Sequence, residues 1–473
     1  MDTPANIIGK ALTMTPIMSG INADGTWGYG INGTNPIAMV QSGCTTNSIA
    51  PEYTARTTLS IDPFKGFNIF GAYSWKRADG ETNAFVKPYQ VYESGVSKGE
   101  FPTTGSSKSE HRTKTVTKQY NLQGTYEKNF HKNYLKALVG FQSEELHNTY
   151  LLAGRKNYYY DGYEELVNGD VSTASNSSSK CAWSMLSYFF RLNYAYNDRY
   201  LLEVNGRYDG TSRFKKGHRW GFFPSVSAGW RISEENFFES AKSVVSNLKL
   251  RASYGAVGNS AIDPYQTIAG LSKYDYLFGE DAGNKFFAYR PSMIPNKDLG
   301  WEISRTANFG VDFGLWNNRI SGYIEGYITK TSDLLMERTL PFFTGFSKVW
   351  QNIGKTENKG IELNIQANTL KTKSFSWETT VTFARNWNKI TELLGGGDIR
   401  NNSWFIGKPL QVHYNYEMIG VWQLGEEKEA QKYGAIPGDI KVKDQNNDGS
   451  IGELDKVILG QKDPKIIASL LNS

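Results

Sequence analysis

The amino-acid sequence predicts an all-β chain, an antiparallel transmembrane β-barrel. Three observations carry this reading. Oily and wet side chains alternate along most of the chain, tight turns alternate with long connections, and aromatic residues gather at the ends of the alternating segments. The composition agrees: 28 Tyr, 25 Phe, 12 Trp and 47 Gly against 15 Pro suit strands and tight turns. With 473 residues, 39% of them hydrophobic, the chain is long and apolar enough for an ordered core. A net charge of +5, spread without a basic block, excludes a nucleic-acid groove. Two cysteines, Cys44 and Cys181, make neither a disulfide framework nor a four-thiolate metal site. No apolar run exceeds four residues (37–40 is one), whereas a membrane-crossing helix needs roughly 20. Met1 is followed by Asp2, Thr3 and Pro4, with neither a basic nor an apolar leader, so no secretion signal is expected.

The alternation is clearest near the end of the chain. Ile361, Leu363, Ile365 and Ala367 interleave with Glu362, Asn364, Gln366 and Asn368. Phe375, Trp377, Thr379, Val381 and Phe383 then form one face, and Ser376, Glu378, Thr380, Thr382 and Ala384 the other, so Val381 should meet lipid and Thr380 a lumen. Less regular alternation covers residues 120–127, 202–209, 226–232, 248–254 and 309–315. Short turns are expected at 62–66, 127–132, 197–199, 317–319 and 371–373, and long connections at 77–115, 147–181, 209–221, 256–301 and 331–359. Residues 233–247 are intermediate, with room for one or two helical turns. This rhythm suits a barrel with short periplasmic turns and long extracellular loops, closed because lipid tolerates no bare sheet edge. Tyr194, Tyr196 and Tyr200 bracket one short turn, Tyr126 precedes another, Trp316 adjoins a third, and Trp377 follows Lys373, as interfacial aromatics do.

Several stretches carry a family resemblance. Tyr-Leu-Leu-Glu-Val-Asn-Gly-Arg-Tyr-Asp-Gly-Thr-Ser-Arg-Phe runs over 200–214, Arg-Trp-Gly-Phe-Phe-Pro-Ser-Val-Ser-Ala-Gly-Trp-Arg-Ile-Ser over 219–233, and Asn-Leu-Lys-Leu-Arg-Ala-Ser-Tyr-Gly-Ala-Val-Gly-Asn over 247–259. Shorter matches follow at 297–302, 352–354, 358–362 and 438–440. In this order they resemble the SusC/RagA family of TonB-dependent outer-membrane transporters, from about Tyr120 onward. The resemblance implies a 22-stranded barrel holding a plug, driven through the TonB complex, and working with a SusD-like surface lipoprotein to import an oligosaccharide or peptide ligand. No TonB box or plug is recognised in the sequence, and the family's final strands are expected to lie outside it. The whole chain, 1–473, is therefore expected to be a partial barrel domain of about two-thirds of the strands.

One local motif carries metal chemistry. Asp444, Asn446 and Asp448 stand at positions 1, 3 and 5 of an EF-hand-type loop, with Gly449 at 6, Ser450 at 7 and Asp455 at 12. That spacing turns alternate oxygens inward toward a hard cation, so a structural Ca2+ is expected on Asp444, Asn446, Asp448, the Ser450 carbonyl and Asp455. The competing reading is a solvated Asx-turn cluster. Other motifs fall away. The run Gly354-Lys355-Thr356 lacks the first glycine of a phosphate loop, since Val349 stands there, and Gly395, Gly396 and Gly397 lack dinucleotide spacing. Gly95-Val96-Ser97-Lys98-Gly99 spells a nucleophile elbow but lies in a polar connection ahead of Pro102. His111, His131, His147, His218 and His413 include no pair at metal-ligand spacing. Substrate contacts are expected from lumen residues and loop aromatics without singling any out: Tyr158, Tyr159, Tyr160 and Tyr163 in one loop, and Tyr274, Tyr276, Phe286, Phe287 and Tyr289 in another. No catalytic residues are expected. The alternative is a secreted soluble all-β carbohydrate-binding or adhesive module. A glycoside hydrolase would need an acid pair that nothing selects.

Overall fold

The computed structural model describes residues 4–159, 162–278, 284–372 and 374–473. Of the positions singled out above, Met1, Asp2, Thr3, Tyr160 and Lys373 lie outside the described residues. Among those described, one 14-stranded sheet dominates. Its strands are β1 (Thr45–Ile49), β2 (Glu52–Phe64), β3 (Phe67–Val86), β4 (Ser107–Phe130), β5 (Asn133–Lys156), β6 (Asp170–Tyr196) and β7 (Tyr200–Thr211). They continue as β8 (Trp220–Arg231), β9 (Val245–Asn259), β10 (Glu302–Leu315), β11 (Ile320–Ser332), β12 (Lys355–Lys371), β13 (Ser376–Glu392) and β14 (Ile466–Asn472). Neighbours in space are neighbours in sequence, apart from β1 and β2, which both pair with β3. The described ladders are antiparallel, as between β10 and β11, where Phe309 faces Gly326 and Val311 faces Ile324.

The chain divides into two compact units. The first comprises Met1–Ser60, Phe70–Leu122 and Gln142–Met185. It holds the helices Pro4–Thr13 and Pro36–Gln41 and the hairpin Tyr89–Glu93 with Val96–Phe101. Asn35 organises this region. Its side-chain oxygen accepts from the Ile37 and Ala38 amides at 2.9 and 3.2 Å, and its amide donates to the Gly20 and Gly28 carbonyls at 2.6 and 2.8 Å. With Pro36 at the first helical position, the helix start is set. Ala38, Tyr89 and Val91 form its buried core, with Trp27 and Phe101 packed on them.

The second unit comprises Ile61–Ile69, Gln123–Phe141 and Leu186–Ser473. Within it the ladders run unbroken from β7 to β14. Its tight turns rest on left-handed residues: Gly66 at φ 86°, His131 at 54°, Asn197 and Asp198 at 51° and 55°, and Asn317 and Asn318 at 57° and 60°. At Gly66 a Cβ would stand 2.3 Å from the Glu127 carbonyl oxygen, so glycine is required.

From β2 on, short and long connections alternate except at residues 232–244, intermediate in the sequence, which hold two 3-10 segments, Ile232–Glu234 and Asn236–Ala241, and are longer than the 212–219 connection before them. Strand boundaries correct the sequence expectation. The gap expected over 77–115 is largely strand, leaving only 87–106 between β3 and β4, and 147–181 shrinks to 157–169. The serine-rich stretch 172–179, expected as loop, lies inside β6. The run Gly95 to Gly99, expected as loop, belongs to a hairpin turning at Ser94 and Gly95. The aromatic run from Tyr274 to Tyr289 is likewise a hairpin, Leu271–Phe278 with Asn284–Pro291. The cause is common to all. Apart from Ala84 and Phe85, which are buried near the end of β3, these segments are half or fully exposed, so burial does not mark them and backbone pairing makes them strands.

Candidate functional site

The wall formed by β7 to β13 has two chemically distinct faces. Register assigns them directly, because residues paired across a ladder share a face. On one face Leu250 pairs with Val311, Val311 with Ile324, Ile324 with Leu363 and Leu363 with Phe383. Phe309 at 55%, Ile324 at 48% and Ile361 at 47% remain exposed, so among the described residues no second sheet covers this oily row. A soluble sandwich buries such a row; a membrane wall leaves it open. Val381 lies on it, paired with Ile365, and Thr380 on the opposite face, paired with Gln366.

Aromatic rings bound the row at both ends. At the short-turn end Tyr196, Tyr200 and Trp230 stack in sequence at 6.4 Å, and Trp316 and Trp377 are exposed. Glu235 ties this edge together. It accepts from the Tyr200 hydroxyl at 2.6 Å and the Trp230 indole at 3.1 Å, and pairs with Arg199 at 3.1 Å. The Tyr200 and Trp230 hydrogen bonds, with Arg199 beside them, hold its carboxyl below the usual range. At the other end Trp220 stacks on Tyr208 at 4.7 Å and Tyr188 at 6.3 Å, and Trp387 is exposed. Tyr208 follows Tyr200 by eight residues. At about 3.4 Å per residue and a tilt of about 40°, that spans roughly 21 Å, close to the apolar band of about 25 Å in outer-membrane barrels.

The opposite face is polar and connected. Arg251 donates to Asp312 at 2.9 Å and pairs with Glu325 at 2.6 Å, while Lys249 reaches Asp312 at 3.4 Å. Arg207 pairs with Asp209 at 2.7 Å and donates to Ser187 at 2.8 Å, and Arg191 donates to Asn205 at 2.7 Å. Asn193 bonds Glu203. Threonine and serine rungs continue it: Thr306 with Thr329 and Ser304 with Thr331, both at 2.8 Å. A cavity of 430 Å³ opens among them, lined by Tyr134, Tyr194, Glu203, Lys249, Arg251 and Asn308. This ion cluster is not legible in the sequence. Alternation places Lys249 and Arg251 on the wet side of one segment and Asp312 on that of another, but only the pairing of β9 with β10 brings them together.

The acidic loop is ordered by its own backbone. Asp455, 1% exposed, accepts from the Gln445 and Gly452 amides at 2.8 and 2.7 Å. Asp448 accepts from the Ser450 amide and hydroxyl at 2.8 Å, Asn446 from the Asp448 amide at 3.1 Å, and Asp444 Oδ2 from Gly449 at 2.8 Å. Asp444 Oδ1 is buried with no hydrogen-bond partner. Among the described residues no three His, Cys, Asp or Glu side chains are grouped to hold a metal ion. A cation in this loop would therefore draw on amide and backbone oxygens too.

The loop aromatics separate. Tyr158, Tyr159, Tyr163 and Asn168 line a cavity of 410 Å³, with Tyr158 edge-on to Phe85 at 5.3 Å. Tyr274, Tyr276, Phe286, Phe287 and Tyr289 stand exposed on their hairpin, where Lys273 sits 3.4 Å over the Phe287 ring and Arg290 4.9 Å over Tyr274.

An open oily face between aromatic rows, backed by a wet face, defines the class: the wall of an outer-membrane β-barrel. No helix among the described residues is long and apolar enough to cross a membrane. Comparison with known proteins agrees. Residues 16–448 match the family model "TonB dependent receptor-like, beta-barrel", and the chain belongs to that family. It is 30% identical over 97% of its length to TonB-dependent receptor P3 of Formosa agariphila, covering 46% of that protein. To TonB-dependent receptor SusC of Bacteroides thetaiotaomicron it is 37% identical over 59% of its length, covering 28% of that protein. The chain thus spans less than half the length of these relatives. Among solved structures, that of the RagAB peptide transporter superposes on 92% of the chain with a TM-score of 0.77 at 23% identity, covering 47% of the matched chain, a likeness of fold. The family is one of receptors rather than enzymes.

Proposed function

We propose that this chain supplies barrel wall and loops to a TonB-dependent importer of polymer-derived nutrients, an oligosaccharide or an oligopeptide. The whole receptor would be driven through the TonB complex and work with a SusD-like surface lipoprotein. The observation that carries this reading is the two-faced wall: its apolar row faces lipid, and its hydrogen-bonded polar face, with a 430 Å³ cavity, offers a passage for hydrophilic solutes. The relatives' names support the receptor class, and the exposed rings at Tyr159, Phe287 and Tyr289 suit stacking on sugars or peptide side chains. The test is uptake of labelled oligosaccharides and oligopeptides by cells lacking the gene, with and without its restoration. Loss of uptake of one class, restored with the gene, supports the reading and identifies the class. Unchanged uptake of both overturns it.

The acidic loop is proposed to hold one structural Ca2+ through Asp444, Asn446, Asp448, the Ser450 carbonyl and Asp455. The unpartnered Asp444 Oδ1 and the oxygen-rich set suit a hard cation. Calcium titration calorimetry tests it: heat lost in Asp444→Asn supports the site, and no heat from the wild type at millimolar ion removes it.

A further inference from the structure

The oily row on β10 to β13 ends abruptly toward the long connections. On β11 the outward positions are Ile320, Gly322, Ile324, Gly326 and Ile328, and the next is Lys330. Lys330 pairs with Arg305 on β10 and with Glu357 on β12, which pairs with Lys389 on β13. One rung therefore carries three cations and one carboxylate on the lipid-facing side. Ile328 pairs with Lys359, which pairs with Trp387, and Arg385 lies 4.7 Å over the Trp387 ring. Glu357 is shared between Lys359 and Lys389, each at 3.2 Å, and Lys355 is held by Glu392 at 2.6 Å. Arg305 meets only the Ser332 hydroxyl in this group, at 3.3 Å, and no carboxylate stands within ion-pair distance of Lys330 among the described residues. A groove of 700 Å³ opens here, lined by Tyr254 and Ile328, by Arg305, Lys330, Lys355 and Lys359, and by the carboxylate of Glu357.

The height of this patch follows from strand geometry. Ile328 lies eight residues beyond Ile320, roughly 21 Å along the membrane normal at about 3.4 Å per residue and a tilt of about 40°. Lys330, two residues further, stands roughly 5 Å higher, at headgroup level. Strands β7 and β8 present Tyr208, Trp220 and Phe222 near that end in place of such charge.

We infer that this groove is a docking site for the phosphate-bearing headgroup of an outer-leaflet lipid. The acyl chains would lie on the oily row, with Tyr254 and Ile328 at the margin, and Arg305 and Lys330, which line the groove, would take the phosphate. Excess positive charge, an open groove and contact with the lipid-facing row all match that occupant. The inference rests on the membrane placement of the wall and is independent of what the receptor imports.

The test uses the full receptor, purified in a zwitterionic detergent, with fluorescence-quench titration of lipid A bearing its phosphates, of the same lipid dephosphorylated, and of inorganic phosphate alone. The phosphorylated lipid should bind at least tenfold more tightly than the dephosphorylated one. At roughly fivefold per surface cation, the double variant Arg305→Gln, Lys330→Gln should lose roughly 25-fold. Equal affinity for the two lipids overturns the inference, as does a loss of less than tenfold in a variant that keeps the heat-modifiable gel migration of a folded barrel. Should the variant not fold, the lipid comparison on the wild type decides alone. Inorganic phosphate competing at micromolar concentration would also overturn it, by showing a soluble-anion site.

Discussion

An arginine at Ile324 tests the wall most directly. Ile324 lies four residues from Ile320 and four from Ile328, so it sits roughly 10 Å below either margin of the oily row. It is 48% exposed on that face and flanked by Val311 and Leu363. A guanidinium there meets hydrocarbon, and Ile324→Arg should destabilise the barrel by about 2–4 kcal/mol. The same substitution at Ile328, at the upper margin, should cost about 0–1 kcal/mol, because the side chain reaches the headgroups. Asn364→Arg is the control. Asn364 is adjacent to Leu363 on the same strand, pairs with Tyr323 and Thr382, and faces the polar side, so its cost should stay below about 1 kcal/mol. Guanidinium unfolding of the full receptor from lipid vesicles, followed by tryptophan fluorescence, measures all three. Equal costs for Ile324→Arg and Asn364→Arg would refute the face assignment, and equal costs at Ile324 and Ile328 would refute the depth scale.

Three further outcomes follow from the geometry. Gly66→Ala forces a Cβ to within 2.3 Å of the Glu127 carbonyl at φ 86°, and should cost more than about 1 kcal/mol in the same unfolding assay, whereas Gly217→Ala, whose Cβ site is open at φ 101°, should cost less. Arg251→Ala removes the guanidinium shared by Asp312 and Glu325; with its side chain 31% exposed, the loss should be about 1–2 kcal/mol, and Arg251→Lys should recover part of it. Backbone hydrogen bonds, from Gly452 first and then Gln445, hold the Asp455 carboxyl below its ordinary value. Its stabilisation of the loop is complete above the unfolded aspartate pKa of about 3.9 and lost as pH falls through the lower folded value. Hydrogen-exchange protection of the Gln445 and Gly452 amides should thus be unchanged from pH 8 to 5 and fail only below about pH 4. Loss beginning near pH 6 would contradict this.

Much of the wall was legible in the sequence because one face meets oil and the other water. The period-two pattern from Ile361 to Ala367 names a strand and its lipid side without any coordinates, and the structure pairs it as expected. Where that contrast vanishes, the sequence misleads. Residues 172–179 and the polar ends of β4 and β5 are wet on both faces, so nothing in them distinguishes strand from loop. The acidic loop was legible as spacing, while the carboxylates' engagement with the Gln445, Gly449 and Gly452 amides was not.

By itself the sequence determined fold class, strand faces, the order of turns and the family, since these depend on local chemistry repeated every second residue. Only the tertiary structure decided which polar residues meet. Arg251 finds Asp312 61 residues away, and Lys330 joins Arg305 and Lys389 on one rung, because ladder register, set by turns and burial across whole strands, determines which side chains stand side by side.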